Sequence, residues 1–322
     1  MGRRAVVHCA ADDPTIGNGR CRFLLSLRHE IEDSMIKTLL LAALVVTTAL
    51  IGGTAQAQAG SATLARIKSA KLINVAYSPD SLPFSFVGDN KEPAGYSIDL
   101  CRRVIAQIAR AVGDANLKVN WIAGSVSERL QMVASGRADL ECANTTQTQS
   151  RLAKVDFSNL IFIDGGGFLV KDGSPINQFT DLAGKRIAVL KGTTTESRLN
   201  DMLRLLQISA TVVTVADATS GLAMLEAGDV ETYAGDKIKL VGLAVQAKEP
   251  AKLALLAEDL SIEPYAMALP RNDSAFRLEV NKALTQVYMG GDIEQIFARW
   301  LGKLGRPTGL LSAMFLLSSI PN

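Results

Sequence analysis

The sequence predicts an α/β protein made of two successive lobes, and three observations predict it. Strand-like and helix-like segments alternate along most of the chain, the alternation starts over midway, and a glycine-rich apolar segment separates the two runs.

The first run opens with the strand Leu72-Ile73-Asn74-Val75-Ala76-Tyr77. Ile98 to Val112 then places Ile98, Val104, Ile105, Ile108 and Val112 near helical spacing, with Gly113 as the stop. Leu117 to Ile122 reads as a second strand, Ser127 to Ala134 as a helix ending at Gly136, and Ala138 to Cys142 as a third strand. This order implies a largely parallel sheet covered by helices. The second run repeats it: strand Arg186 to Leu190, turn Lys191-Gly192, a helix start at Thr193-Thr194-Thr195-Glu196, strand Thr211 to Val215, helix Ser220 to Ala227 closed by Gly228, and strand Thr232 to Asp236. Between the runs, Phe162 to Lys171 contains Gly165-Gly166-Gly167. A bulge or tight turn is one use of such glycines, but their place between two units points to a hinge strand. A return crossing at Glu263 to Leu269 would carry the C-terminal helices back. The first lobe is then 64–165 with 267–322, and the second is 166–266.

The N-terminal region has a different character. Met35-Ile36-Lys37 is a short basic start, Thr38 to Ile51 an apolar run, and Gly52 to Ala57 a small-residue tail ending in A-x-A. That order makes a secretory signal peptide over 35–57, with cleavage after Ala57 or Ala59. The apolar run is shorter than the roughly 20 residues needed to span a membrane. With a complete export signal beginning at Met35, residues 1–34 read as an upstream extension from a misassigned start. The apolar tail Leu310 to Leu317 is also too short to span and is expected to pack on the first lobe.

Composition excludes several functions. Lys+Arg 34 against Asp+Glu 32 leaves a formal charge of +2, without the basic footprint of a nucleic-acid binder. His8 and His29 both precede Met35, so the exported chain has no histidine for a Ser–His–Asp triad, a Cys–His pair or a His-based metal site. No cofactor or metal is expected. Removing the leader leaves Cys101 and Cys142, an even pair that suggests a disulfide in an oxidising compartment. Two buried thiols are the other reading.

Several short motifs follow one another in order: Gly95-Tyr96-Ser97-Ile98-Asp99-Leu100 after Pro83-Phe84-Ser85-Phe86; Asp139-Leu140-Glu141-Cys142-Ala143-Asn144-Thr145-Thr146 with Arg151; Val155-Asp156-Phe157-Ser158; Lys191-Gly192-Thr193-Thr194; and Asp236. Together they resemble the polar amino-acid-binding proteins of ABC importers, solute-binding family 3, and in particular the glutamate/aspartate branch, over Leu64 to Leu304. The resemblance implies a two-lobed periplasmic-binding-protein fold of type II, with the ligand cleft between lobes joined by two crossing strands. It also implies a periplasmic monomer that closes on a small polar amino acid by hinge motion and delivers it to a membrane permease, without catalysis.

An amino acid carries a carboxylate and an ammonium that must be desolvated together, so its site needs compensating charge on both sides. Arg151 offers a planar fork for a carboxylate, and Thr146, five residues earlier, is placed to cap the intervening turn. Gly192-Thr193-Thr194-Thr195 ends a strand and opens a helix, whose free N–H groups favour an anion. In the family the matching Arg and turn hold the α-carboxylate from opposite lobes, and the carboxylate matching Asp236 takes the α-ammonium. Taken singly, Arg151 reads as a surface arginine, the threonine run as a capped helix start, and Asp236 as a cap for the next segment of chain. Arg129 matches an arginine that meets the acidic side chain of the ligand in the glutamate/aspartate branch, and equally reads as a solvated helix-face cation. Ser78 stands where that branch has a second Arg, Ala218 where it has His, and Asn144 where it has Ser, so glutamine or asparagine competes with glutamate or aspartate. Tyr77 and Phe84 are placed to wall the apolar part of the pocket, or to be plain core. A rival from another class is a cyclohexadienyl (arogenate/prephenate) dehydratase on the same fold, with Glu141 or Glu196 as general acid.

Overall fold

The structure is a computed structural model in which residues 60–319 are described. The leader expected at 35–57, its cleavage sites and the extension 1–34 lie outside the described residues.

Helix α1 (Ala62–Ala70), capped by Ser61, leads into strand β1 (Leu72–Tyr77). Strands β2 (Asp80–Ser81), β3 (Ser85–Val87) and β4 (Pro93–Ala94) form a small antiparallel sheet. Helix α2 (Tyr96–Val112) buries Ile98, Val104, Ile105, Ile108 and Val112, the positions expected from the spacing, and stops at Gly113 with φ 74°. Strand β5 (Lys118–Ala123), helix α3 (Val126–Ala134) with its Ser125/Glu128 capping box, and strand β6 (Leu140–Cys142) complete the first unit. Strand β6 starts two residues later than the sequence suggests; ahead of it, the Asp139 side chain accepts the Asn74 N–H and pairs with Arg66.

After the single turn α4 (Gln149–Leu152), strand β7 runs unbroken from Asp156 to Lys171. The second unit comes next: β8 (Arg186–Leu190), α5 (Thr194–Leu205), β9 (Thr211–Val215), α6 (Ala218–Ala227), β10 (Thr232–Asp236) and α7 (Lys237–Gln246). Strands β11 (Leu253–Leu255) and β12 (Ser261–Leu269) lead back to α8 (Ser274–Met289), α9 (Asp292–Leu301) and α10 (Gly309–Leu317).

The main sheet has the order β5-β1-β6-β12-β7-β10-β8-β9. Strand β1 is parallel to β5 and β6, and β8 is parallel to β9 and β10. The antiparallel pair β7/β12 joins these two parallel halves. Strand β7 pairs with β12 as far as Gly166 and with β10 from Gly166 onward, so it changes partner within the triple glycine. The glycines make neither a turn nor a bulge; the irregular pairing falls at Tyr265–Ala268. They permit close approach instead, since a Cβ would fall 2.3 Å from Ser261 Oγ at Gly166 and 2.6 Å from Lys237 Cε at Gly167.

Two sets of buried apolar residues follow the same division. One draws on Ile67 to Phe162 and Tyr265 to Phe315, the other on Phe168 to Leu256. Tyr265 and Ala266, expected in the second lobe, belong to the core of the first. The C-terminal tail packs there through Leu311, Met314 and Phe315. Cys101 on α2 and Cys142 at the end of β6 form a disulfide, S–S 2.05 Å. Among the described residues no helix is long and apolar enough to cross a membrane.

Candidate functional site

Because β1, β5 and β6 run parallel, their C-terminal ends lie side by side and deliver Ser78, Gly124 and Asn144 to one edge of the first lobe. Strands β8, β9 and β10 likewise deliver Thr193, Asp217 and Asp236 to an edge of the second. The lobes meet along these edges, where open α/β sheets place ligands.

Asp236 occupies the N-cap position of α7, yet its side chain does not cap that helix. It accepts hydrogen bonds from Tyr265 Oη (2.7 Å), Thr195 Oγ1 (2.9 Å) and, across the lobes, Asn144 Nδ2 (3.1 Å). Asp164 accepts the Ile238 N–H of α7 instead, together with the Gly165 N–H, and lies 3.2 Å from the Tyr265 hydroxyl oxygen. Burial, and then the neighbouring Asp236 charge, pushes the Asp164 carboxyl up to about 7. Burial and the same two carboxylates raise the Tyr265 hydroxyl well above its ordinary range.

Arg151 is half-buried on α4, and among the described residues its side chain makes one hydrogen bond, Nη1 to the Thr146 carbonyl at 2.8 Å. Most of its donor fork is therefore left for an anion. Burial lowers its pKa, and the charges of Glu141, Glu263 and Asp236 act the other way. Thr146 is not the cap of this turn. Thr148 is, accepting the Arg151 N–H at 3.2 Å, while Thr146 Oγ1 donates to Glu263 at 2.6 Å. Thr194 Oγ1 donates to the same Glu263 oxygen from the second lobe and lies 3.3 Å from Thr146 Oγ1. Thr193 caps α5, as the plain reading of the threonine run expected.

For two residues the structure selects between the readings the sequence left open or removes one of them. Arg129 is 2% exposed, so it is no solvated cation; its Nε bonds Glu141 at 2.8 Å and its Nη1 the Gly124 carbonyl at 2.8 Å. Its charge is already balanced inside the first lobe. Phe84 is fully buried among Tyr96, Phe162 and Tyr265, and serves as core rather than pocket wall. Tyr77 is also buried and packs edge-on against Trp121. Ser78, 2% exposed, bonds Asp80 and Ser81.

A cavity of about 930 Å³ between the lobes gathers Thr146, Arg151, Thr193, Thr194 and Glu263. Asp236 and Thr195 line a separate space of about 20 Å³ with Tyr233 and Lys239. Ser78, Tyr77, Phe84, Arg129 and Asn144 line neither. The Asn144–Asp236 and Thr146/Thr194/Glu263 bridges hold the two edges together, so this is a closed arrangement. Asp164, Glu263 and Tyr265 are the residues that sequence reasoning missed. The available signal was a carboxylate inside each crossing strand, Asp164 and Glu263.

The sequence pattern of the bacterial extracellular solute-binding proteins, family 3, matches residues 73–303. The L-glutamate/L-aspartate-binding protein of Pseudomonas aeruginosa is 30% identical over 266 residues, covering 82% of this chain and 88% of its own length. The ABC transporter glutamine-binding protein of Bacillus subtilis is 26% identical over 251 residues, with 77% and 88% covered. Among solved structures, an ancestral amino-acid-binding protein described as a precursor of cyclohexadienyl dehydratase superposes with a TM-score of 0.64 at 24% identity, over 74% of this chain and 99% of its own. At that identity the likeness concerns the fold alone.

Proposed function

Since the chain belongs to the bacterial extracellular solute-binding proteins of family 3, we propose that it is the periplasmic receptor of an ABC importer, closing as a monomer on one polar amino acid and passing it to a membrane permease. The ligand is of the glutamate/aspartate or glutamine/asparagine kind. One observation supports this reading: Arg151, with most of its donor fork uncommitted, lines the cavity between the lobes, while Asp236 of the second lobe accepts Asn144 of the first across the same boundary. The α-carboxylate lies on Arg151 and the N-terminus of α5, and the α-ammonium lies on Asp236. Thr146, Thr194 and Asn144, which bridge the lobes in the closed arrangement, and Thr195, bonded to Asp236 within the second lobe, then exchange bonds with the zwitterion. A ligand biases closure only through contacts it makes better in the closed state, and a zwitterion spanning both lobes supplies them.

Binding is favoured over elimination by what the two candidate acids already do. Glu141 is fully buried and ion-paired with Arg129, and Glu196 accepts the Gly192 N–H at 2.6 Å. Both carboxylates are engaged by partners within the fold.

A melting-temperature screen of the exported chain, begun after Ala57 or Ala59, against the twenty amino acids tests the proposal. A ligand at 100 times its Kd adds about 2.7 kcal/mol of apparent stability. One or a few polar amino acids should raise the transition; a screen in which none does contradicts the proposal.

A further inference from the structure

We propose that the outward face of α10, together with the basic turn ahead of it, docks the first lobe reversibly on an anionic bilayer surface. The inference is independent of what fills the cleft.

Apart from Ser312, every residue of α10 is apolar. Its inward face, Leu311, Met314 and Phe315, is buried in the core of the first lobe. Leu310, Ala313, Leu316 and Leu317 are left over, and their spacing at the helical period makes them one continuous exposed stripe. Leu310 is 61% exposed, Leu316 74% and Leu317 82%. A surface helix ordinarily turns a polar face outward, and one that is apolar all round calls for an apolar medium on both sides.

The turn that leads into α10 exposes Leu304 and two cations, Lys303 and Arg306. Among the described residues, neither cation lies within ion-pair distance of a carboxylate. The sequence has no aspartate or glutamate after Glu294, so nothing in this stretch offsets them, whereas Arg299 is already paired with Asp99. A leucine stripe beside uncompensated cations is the chemistry of an interfacial helix: the leucines enter the acyl boundary and the charged ends stay at the headgroups. At 9 residues, α10 is too short to span and lies in the plane of the surface.

A second copy of this chain fits the face less well. It would bring the same cations to the contact and no carboxylate to meet them, while an anionic bilayer supplies both the apolar medium and the countercharge. Because the buried side of α10 belongs to the first lobe, docking through it leaves the second lobe free.

Flotation of the exported chain with vesicles of phosphatidylglycerol and phosphatidylcholine, and of phosphatidylcholine alone, tests this. The parent should bind the anionic vesicles at least about ten-fold more tightly than the neutral ones. Lys303→Gln with Arg306→Gln should remove that difference. Leu316→Ser with Leu317→Ser should weaken binding to both kinds of vesicle at least about ten-fold, at an unchanged melting temperature because both side chains are mostly exposed. A parent that floats with neither vesicle, or whose binding the leucine pair leaves untouched, overturns the proposal. So does a dimer in analytical ultracentrifugation that the leucine pair dissolves while the parent ignores vesicles, because a second copy then covers the face.

Discussion

Replacing Asp164 by asparagine isolates a titration that couples the hinge to the ligand site. Burial and the Asp236 charge move this carboxyl from an ordinary 3.8 to about 7. Between those values the folded protein holds a proton that the unfolded chain has already released. The contribution of Asp164 to stability is therefore full below about pH 4 and is lost as the pH rises through about 7. The slope is about 1.4 kcal/mol per pH unit, so from pH 5 to pH 7 the parent should lose on the order of 2 to 3 kcal/mol relative to Asp164→Asn, whose amide imitates the protonated acid. In a chain of this size that opens a gap in melting temperature of roughly 5 to 10 °C, which stops growing above about pH 7. Thermal unfolding of both proteins at pH 5, 6, 7 and 8 reads it directly. An ammonium seated on Asp236 offsets the repulsion that adds to burial in keeping Asp164 protonated, so ligand binding should release part of a proton and tighten as the pH rises over the same range. Calorimetry in two buffers of different ionisation enthalpy counts that proton. A gap between the two melting curves that stays constant from pH 5 to pH 8 would refute the reasoning.

Other consequences can be checked as directly. The disulfide closes a loop with a sequence separation of 41, so reduction, or Cys101→Ala with Cys142→Ala, should cost about 4 kcal/mol; two thiols titrating in the denatured, unreduced protein would contradict the bond. Arg129→Ala leaves Glu141 buried without its cation and should cost about 3 to 5 kcal/mol of stability. Adding Glu141→Gln should restore most of it in chemical denaturation, and a double variant as unstable as the single one would contradict the pairing. A Cβ at Gly242, on α7 of the second lobe, would fall 2.6 Å from the Leu82 carbonyl of the first. Gly242→Ala should hence weaken amino-acid affinity several-fold while leaving unliganded stability equal or higher, because alanine is the better helix former; unchanged affinity would show that this contact does not limit closure.

How much of the fold and the site was legible depends on which interactions are local. Arg186–Leu190, Thr211–Val215 and Thr232–Asp236 agree with the structure to the residue, because short apolar runs bounded by polar or glycine residues mark strands without help from the rest of the chain. Arg151, the threonine turn and Asp236 were singled out by their match to the family's motifs, and the structure puts the turn after one strand and Asp236 at the end of another. The charge network behind them was not visible. Only the register of β7 against β12 and β10, fixed by pairing between distant segments, brings Asp164, Asp236 and Tyr265 together. Phe84 stood between pocket wall and core because an aromatic residue has the same local signature in both, and long-range packing decides for the core. Thr146 was misread because a cap depends on the turn actually formed, which starts at Thr148.

The central claim is that one zwitterion joins Arg151 of the first lobe to Asp236 of the second. Titration calorimetry of Arg151→Ala, with the amino acid that raises the parent's melting temperature most, tests it most directly. A carboxylate buried without its partner loses about 3 to 5 kcal/mol, so affinity should fall at least about 100-fold, to the limit of detection. Unliganded stability should stay close to that of the parent, because the Arg151 side chain makes a single hydrogen bond to the fold among the described residues. Arg151→Ala binding that amino acid as tightly as the parent would contradict the account, and with it the explanation of closure.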